Sequence, residues 1–130
     1  MIDSVVSSSW ASSPDTPFSW LVVTSPTEKI AAVCGEQLEY CRSNFQLPAE
    51  KYLCCSDPEG KRVGSGGGTL AALDCLRKRI PSESLSSQRI LLVHSGGDSR
   101  RSPLHSVCGK AWASLPGKNS EEVICPLLLL

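Results

Sequence analysis

The sequence predicts an α/β protein in which helices cover a parallel sheet. Three short runs of apolar and β-branched residues predict buried strands, and they span Trp20–Thr24, Tyr52–Cys55 and Arg89–His94. Segments with helical character separate them, so the order is strand, helix, strand, helix, strand. Connections of this length suit parallel strands that are joined by crossover helices.

The first helix is predicted to begin just after the first strand. Ser25 is placed to cap the helix, Pro26 fits its first turn, and Glu28 favours its positive end. Apolar residues then recur at helical spacing, at Ile30, Val33, Cys34, Leu38 and Cys41.

The second helix is predicted to follow a turn and a glycine-rich loop. Asp57–Gly60 has the composition of a turn, and Gly64–Thr69 has that of a loop. Leu70–Arg79 contains good helix formers and carries cations near its carboxyl end. Pro81 should end this helix, and Ser82–Ser87 is expected to be a polar loop.

Composition bounds the class of protein. The 130 residues are 41% hydrophobic and 20% charged, which fits one globular domain or a piece of a larger one. No run of about 18–20 apolar residues and no secretory signal is present, so we expect no membrane and a cytoplasmic location. The seven cysteines lack metal-site spacing and are expected to be reduced and mostly buried. The serine- and proline-rich residues 1–18 are expected to form a flexible tail that precedes a domain over residues 19–130.

The charge is distributed unevenly along the chain. Residues 1–60 carry 3 basic and 8 acidic side chains (3 − 8 = −5), and residues 61–130 carry 10 basic and 5 acidic ones (10 − 5 = +5). A basic half that also contains glycine clusters favours an anionic ligand, although a chance asymmetry remains open. Nucleic acid is not expected, because Trp112 is the sole aromatic residue of the basic half.

The segment after the third strand combines glycine with arginine. Gly96 and Gly97 allow the backbone to approach a ligand closely, and their amides and that of Ser99 could surround a polyphosphate. Arg101 could bridge phosphate oxygens, and Lys110 offers a second positive charge. A surface turn with incidental arginines explains the same composition equally well.

Three further features leave alternatives open. The Gly64–Thr69 run matches neither the dinucleotide nor the P-loop pattern, so it is a tight turn or, as we favour, a nucleotide contact. His94 could contact phosphate, but a structural hydrogen bond at the strand end is favoured. Asp98 could approach a magnesium ion carried by the nucleotide or pair with a neighbouring arginine.

Together these segments resemble a known family. The matching motifs are His94–Arg101 with Pro103, Gly109–Lys110, Asp57–Pro58, Val63–Leu70 and Trp112–Pro116. They are similar to the N-terminal part of the L-fucokinase and fucose-1-phosphate guanylyltransferase family, over about residues 20–126. The resemblance implies a partial, truncated Rossmann-like parallel sheet of the sugar nucleotidyltransferase type.

The resemblance also implies an activity and a set of site residues. Guanylyltransferases of this family join GTP to L-fucose 1-phosphate and release pyrophosphate, and Mg²⁺ is implied without identified ligands. By resemblance, Arg101 and Lys110 would be catalytic. The nucleotide-binding residues would be Gly64, Ser65, Gly66, Gly67, Gly68, Thr69, Gly96, Gly97 and Ser99.

Two departures from the family qualify this expectation. Ser102 stands where the family has an apolar residue, and family members are several times longer than 130 residues. The chain is therefore expected to be an N-terminal fragment without the sugar pocket and the acidic metal ligands. A piece of a fucokinase-type enzyme and an inactive fragment that binds a nucleotide or a partner are the alternatives.

Overall fold

The computed structural model describes residues 17–45, 47–95, 110–113, 115–116 and 123–124. Single turns of 3₁₀ helix lie at Pro58–Gly60 and Lys110–Trp112. The other elements, in chain order, are β1 (Phe18–Ser25), α1 (Glu28–Asn44), β2 (Ala49–Ser56), α2 (Gly64–Arg77), α3 (Ser82–Leu85), β3 (Ile90–His94), β4 (Leu115–Pro116) and β5 (Val123–Ile124). Residues 1–16 of the predicted tail lie outside the described ranges, and β1 begins at Phe18, two residues before the predicted strand.

The described strands β1, β2 and β3 form a parallel sheet in the order β2-β1-β3, which confirms the predicted α/β class. Near its carboxyl end, β1 places Thr24 between Cys55 of β2 and His94 of β3. The chain moves from β1 to β2 in one direction and then crosses back over β1 to reach β3. The short strands β4 and β5 form a separate antiparallel pair.

The two long helices cover opposite faces of this sheet. Because successive strand residues point to opposite faces, β1 contributes Leu21 and Val23 to one core and Trp20 and Val22 to the other. The first core contains the buried side of α1, and the second contains that of α2. Right-handed crossovers that run in opposite directions along a sheet produce this arrangement.

The start and the buried face of α1 differ from the prediction. Thr27, not Ser25, caps the helix, and its Oγ1 accepts a hydrogen bond from the Ile30 amide at 3.3 Å. Ser25 is instead a buried residue at the end of β1. Ile30 and Val33 are 44% and 49% exposed, because smaller residues face the sheet. The buried residues of α1 are Ala31, Cys34, Gly35, Leu38 and Cys41.

The prediction of a loop at Gly64–Thr69 is wrong, because these residues form the first turns of α2. Glycine has low helix propensity, which favoured a loop in the sequence. The structure explains the outcome by packing, since Gly68, Ala72 and Leu76 recur every four residues and are buried against the sheet. This spacing was available in the sequence as a second signal.

Other local features were predicted with mixed success. The prediction of a polar loop at Ser82–Ser87 is partly wrong, because Ser82–Leu85 form the short helix α3. Leu85 packs against the core between the sheet and α2.

The predicted burial of the cysteines is confirmed for four of the five that are described, while Cys75 is half-buried. No described helix combines the length and the apolar character that a membrane span needs.

Candidate functional site

A cleft of about 240 Å³ lies at the carboxyl ends of the three parallel strands. It is lined by Thr24, Ser25, Pro26, Asp57, Arg62, Gly64, Ser65, Gly68 and His94. Parallel α/β sheets bind ligands at this edge, where the strand order reverses. Here the order reverses between β1 and β3, because the first crossover leaves β1 on one side and the second returns on the other. The cleft therefore occupies the expected ligand position of the fold.

A chain of hydrogen bonds crosses the cleft through His94. The Thr69 hydroxyl donates its single proton to the Ser65 carbonyl at 2.9 Å, so it accepts from His94 Nε2–H at 3.2 Å. On the other side of the ring, Nδ1 forms a hydrogen bond with the Thr24 hydroxyl at 3.1 Å. The favoured structural role of His94 is therefore confirmed, and its ring connects β1 to the second turn of α2.

The amino end of α2 opens into the cleft without a side-chain cap. Val63 occupies the N-cap position and provides no hydrogen bond, and the first turn contains no acidic residue. Gly64 has φ +71°, a conformation that favours glycine, and it turns the chain into the helix. The first amides of a helix have no intrahelical acceptor, so those of Gly64, Ser65 and Gly66 remain for another acceptor. Gly64 and Ser65 line the cleft.

Gly68 lies on the floor of the cleft between two polar side chains. A Cβ atom at this position would be 3.6 Å from His94 Nδ1 and 3.8 Å from Asp57 Oδ1. The missing side chain thus leaves space between the imidazole and the carboxylate. A Cβ at Gly66 would meet nothing within 4 Å, whereas one at Gly67 would lie 2.5 Å from Val63 Cβ.

Charges of both signs surround the cleft. Asp57 follows β2 directly, and its amide donates to the Ser25 carbonyl at 2.9 Å, which fixes the backbone that carries the carboxylate. Arg62 lies on the approach to α2, and the positive end of that helix adds a favourable field for an anion. Among the described residues, no three metal-binding side chains come together.

The structure brings together part of the predicted site. Gly64, Ser65 and Gly68 line the cleft. Thr69 does not line it but forms a hydrogen bond with His94, which does. Gly66 and Gly67 belong to the same turns of α2 but do not line the cleft. The predicted residues Gly96, Gly97, Ser99 and Arg101, together with Asp98, lie outside the described residues. Lys110 begins a turn of 3₁₀ helix, and its side chain lies outside the description.

Sequence reasoning missed several residues of the cleft. Thr24, Ser25 and Arg62 line it and were not among the candidates, and Asp57 entered only as part of a motif. The available signal was position, since Thr24, Ser25 and Asp57 are the polar residues at the ends of two apolar strands. The carboxyl ends of parallel strands meet at one edge of a sheet.

Comparisons with known proteins show sequence similarity to one family. Residues 82–130 match the model of the fucose pyrophosphorylase domain. The human fucose-1-phosphate guanylyltransferase is 38% identical over 97 residues, which cover 74% of this chain and 16% of that protein. The resemblance to this family is confirmed.

Two larger relatives extend the comparison. The bifunctional fucokinase/GDP-fucose pyrophosphorylase of Arabidopsis thaliana is 30% identical over 85% of this chain and 12% of its own length. The L-fucokinase/L-fucose-1-P guanylyltransferase of Bacteroides fragilis is 39% identical over 50% of this chain and 7% of its own length. The chain thus spans less than one fifth of these relatives. No solved structure matches it.

Proposed function

We propose that this chain forms the nucleotide-binding part of a fucose-1-phosphate guanylyltransferase. The enzyme would join GTP to L-fucose 1-phosphate and release pyrophosphate. The observation that carries the proposal is the uncapped, glycine-rich amino end of α2, which opens into a cleft at the carboxyl ends of the parallel strands. The relatives that bear this activity in their names supply the substrates.

The chemistry of the cleft suits the phosphates of a nucleotide. The free amides of a helix start donate hydrogen bonds to phosphate oxygens, and the helix dipole favours their negative charge. Gly68 leaves room for the phosphates to approach the backbone, and the hydrogen bonds of His94 hold α2 against β1.

The reaction itself would need positive charge near the α-phosphorus of GTP. An oxygen of the sugar phosphate would attack the α-phosphorus of GTP, and the bond to the departing pyrophosphate would break. By resemblance, Arg101 and Lys110 would stabilise the charge that develops on the phosphates. Gly96, Gly97 and Ser99 would surround the triphosphate with backbone amides from the segment that follows β3.

The donor set of the described cleft fits a magnesium ion that arrives with the nucleotide. Mg²⁺ binds through one or two carboxylates together with phosphate oxygens. Asp57 places one carboxylate beside Gly68, and no described cluster would hold the ion by protein groups alone. When bound, the ion would neutralise phosphate charge, and the Asp57 carboxylate would help to hold it.

The bifunctional relatives favour a second candidate, a piece of a fucokinase-type enzyme. That enzyme would transfer a phosphoryl group to L-fucose instead of a nucleotidyl group to its phosphate. In either case the proposed ligands are a nucleoside triphosphate and a sugar or sugar 1-phosphate in the cytoplasm, without nucleic acid or membrane. An inactive fragment that only binds a nucleotide is the third candidate.

Binding of GTP with Mg²⁺, measured by titration calorimetry on the whole chain, tests the proposal. Gly68→Val would fill the space between His94 and Asp57, and GTP affinity should fall at least tenfold. Leu70→Val is the matched control, because it places the same side chain on the same helix at a 70% exposed position that does not line the cleft. GTP affinity should change less than twofold in the control. Equal affinity of the two variants would place the nucleotide elsewhere.

Product analysis separates the transferase from the kinase. Pyrophosphate release from GTP and L-fucose 1-phosphate supports the transferase, and L-fucose 1-phosphate formed from ATP and L-fucose supports the kinase. GTP binding without either product fits both a nucleotide-binding part that lacks the sugar pocket and an inactive binding fragment. Failure of the wild-type chain to bind any nucleoside triphosphate, in a sample shown to be folded by circular dichroism, would contradict all three.

A further inference from the structure

A groove of about 380 Å³ lies against α1, on the face of the sheet opposite α2. Its lining residues are Val33, Glu36, Gln37, Tyr40, Cys41 and Trp112. Val33 is 49% exposed and Tyr40 is 65% exposed, although both side chains have apolar surface. None of these residues lines the nucleotide cleft. The groove is therefore separate from the proposed active site, and its walls are mostly apolar.

Trp112 adds a hydrogen-bond donor that the described residues leave without an acceptor. It lies in the 3₁₀ turn Lys110–Trp112 and packs against the core between the sheet and α1. Its indole Nε1 is buried and has no hydrogen-bond partner in the described part of the chain. A buried N–H without an acceptor is costly, and buried tryptophan usually finds one. The backbone carbonyl of an extended segment in the groove would supply it.

We propose that the leucine segment of this chain, Leu127–Leu130, docks in the groove and that one of its backbone carbonyls accepts from Trp112 Nε1. The segment lies outside the described residues, and its four side chains are apolar and uncharged. Such a segment suits a groove with mostly apolar walls, because apolar surface on both sides leaves water. The Gln37 side-chain amide both donates and accepts, so it suits the backbone of an extended segment.

The pairing of β4 with β5 directs the leucine segment towards Trp112. Leu115 of β4 pairs with Ile124 of β5, and the two strands are antiparallel. The chain after Ile124 thus runs back in the direction of Trp112, which precedes Leu115 by three residues. Leu127 follows Ile124 by three residues as well, and three residues reach at most about 11 Å. The leucine segment therefore begins within reach of the indole.

The dimensions of the segment and the groove also agree. Val33 and Tyr40 are seven residues apart, so they are separated by about 10 Å along the axis of α1. Four extended residues cover a similar length, since an extended chain rises about 3.3 Å per residue. The inference does not depend on the proposed nucleotide, because the groove and the cleft share no lining residue.

Photo-cross-linking of the whole chain tests the docking. Benzoylphenylalanine replaces Leu127 in one chain and Leu128 in another, because successive residues of an extended segment face opposite sides. Each chain is irradiated and digested with trypsin, and the products are identified by mass spectrometry. The leucine segment lies in peptide 119–130, and peptide 30–42 contains every α1 residue that lines the groove. We expect these two peptides to be joined in the main product of at least one chain.

Ile30 provides the matched control. It is 44% exposed on the same helix, but it does not line the groove. Val33→Asp places a charge in the groove and should reduce the yield of the product that contains peptide 30–42 at least fivefold. Ile30→Asp places the same charge outside the groove and should change that yield less than twofold. An equal loss in both variants overturns the proposal.

Exchange of the indole N–H gives an independent readout. Nuclear magnetic resonance distinguishes the indole signals of the three tryptophans, and Trp112→Phe assigns one of them. Leu127→Asp combined with Leu128→Asp should speed exchange of the Trp112 N–H at least fivefold, because the acceptor leaves with the segment. Trp20 is buried in the core on the other face of the sheet, and its indole N–H should keep its exchange rate.

Three further results overturn the proposal. The first is that neither chain gives a product that joins peptides 119–130 and 30–42. The second is that this product forms mainly between ¹⁵N-labelled and unlabelled chains mixed before irradiation, which would assign the groove to a second copy. The third is that the exchange rate of the Trp112 N–H stays unchanged in the double variant.

Discussion

The helices α1 and α2 cover opposite faces of one sheet, yet they begin in contrasting ways. In α1, the Thr27 side chain caps the first turn and Glu28 adds favourable charge. In α2, Val63 offers no cap, the first turn has no acid, and four of the first five residues are glycine. The start of α1 is therefore stabilised by its own side chains. The start of α2 depends on packing further along the helix, and its first amides face the cleft.

The glycines make the difference in local stability substantial. Each interior glycine lowers helix stability by about 1 kcal/mol relative to alanine, so Gly66, Gly67 and Gly68 together cost on the order of 2–3 kcal/mol. Burial of Ala72 and Leu76 against the sheet offsets this loss. The amino end of α2 should consequently open more readily than that of α1.

The largest effect is expected from removing the packing that holds each helix. Leu38 of α1 and Leu76 of α2 are both fully buried. Alanine at either position should lower the free energy of unfolding by about 2–5 kcal/mol, measured by urea denaturation. Because α2 lacks a cap, Leu76→Ala should also increase hydrogen exchange throughout α2 beyond the global change. Leu38→Ala should leave the amino-terminal turn of α1 protected, and a reversed pattern would contradict the comparison.

A smaller loss is expected where the glycine run is crowded. In Gly67→Ala the new Cβ would lie 2.5 Å from Val63 Cβ, so the first turn of α2 must shift. Overpacking of this kind should lower the free energy of unfolding by about 1–3 kcal/mol. The second substitution Val63→Gly removes the atom that clashes and should restore most of the loss. A double variant no more stable than Gly67→Ala would show that the crowding is not with Val63.

The sequence predicted the strands better than the helix boundaries, for a physical reason. A strand that is covered on both faces is a short apolar run in any context. Trp20–Thr24 is such a run and is buried, and the similar run Ile90–Val93 also forms a strand, although it is only half-buried. In α1 the large residues Ile30 and Val33 suggested the wrong buried face, because the close approach of helix and sheet selects Ala31, Cys34 and Gly35. Tertiary packing of this kind is invisible to apolar periodicity alone.

The candidate site was also only partly predictable from the sequence, because its structure depends on contacts between distant residues. Composition located the glycine run of α2, but it could not show whether the run was a loop, because glycine is compatible with both states. The helix emerged only from contacts made by residues further along, at Ala72 and Leu76. His94 was assigned a structural role correctly, yet its partners Thr24 and Thr69 could not be named, since they lie 70 and 25 residues away in sequence.

Removal of the α1 cap should cost less than either core change. In Thr27→Ala the Ile30 amide loses its acceptor, and the free energy of unfolding should fall by about 1 kcal/mol. Thr27→Ser retains the hydroxyl and serves as the control, with a change of a few tenths of a kcal/mol at most. An equal loss in both variants would attribute the effect to the Thr27 methyl group instead of the cap.

The smallest effect has the opposite sign and concerns Gly66. A Cβ at this position meets nothing within 4 Å, and the residue is helical and exposed. Gly66→Ala should therefore raise the free energy of unfolding by about 0.5 kcal/mol, chiefly because alanine restricts the unfolded chain. The same substitution at Gly64 should lower stability, because its φ of +71° disfavours any side chain. Chemical denaturation of the two variants side by side separates a glycine required by backbone geometry from one that the fold merely tolerates. If Gly66→Ala also destabilises the chain, the first turn of α2 is not the regular helix on which the contrast with α1 depends.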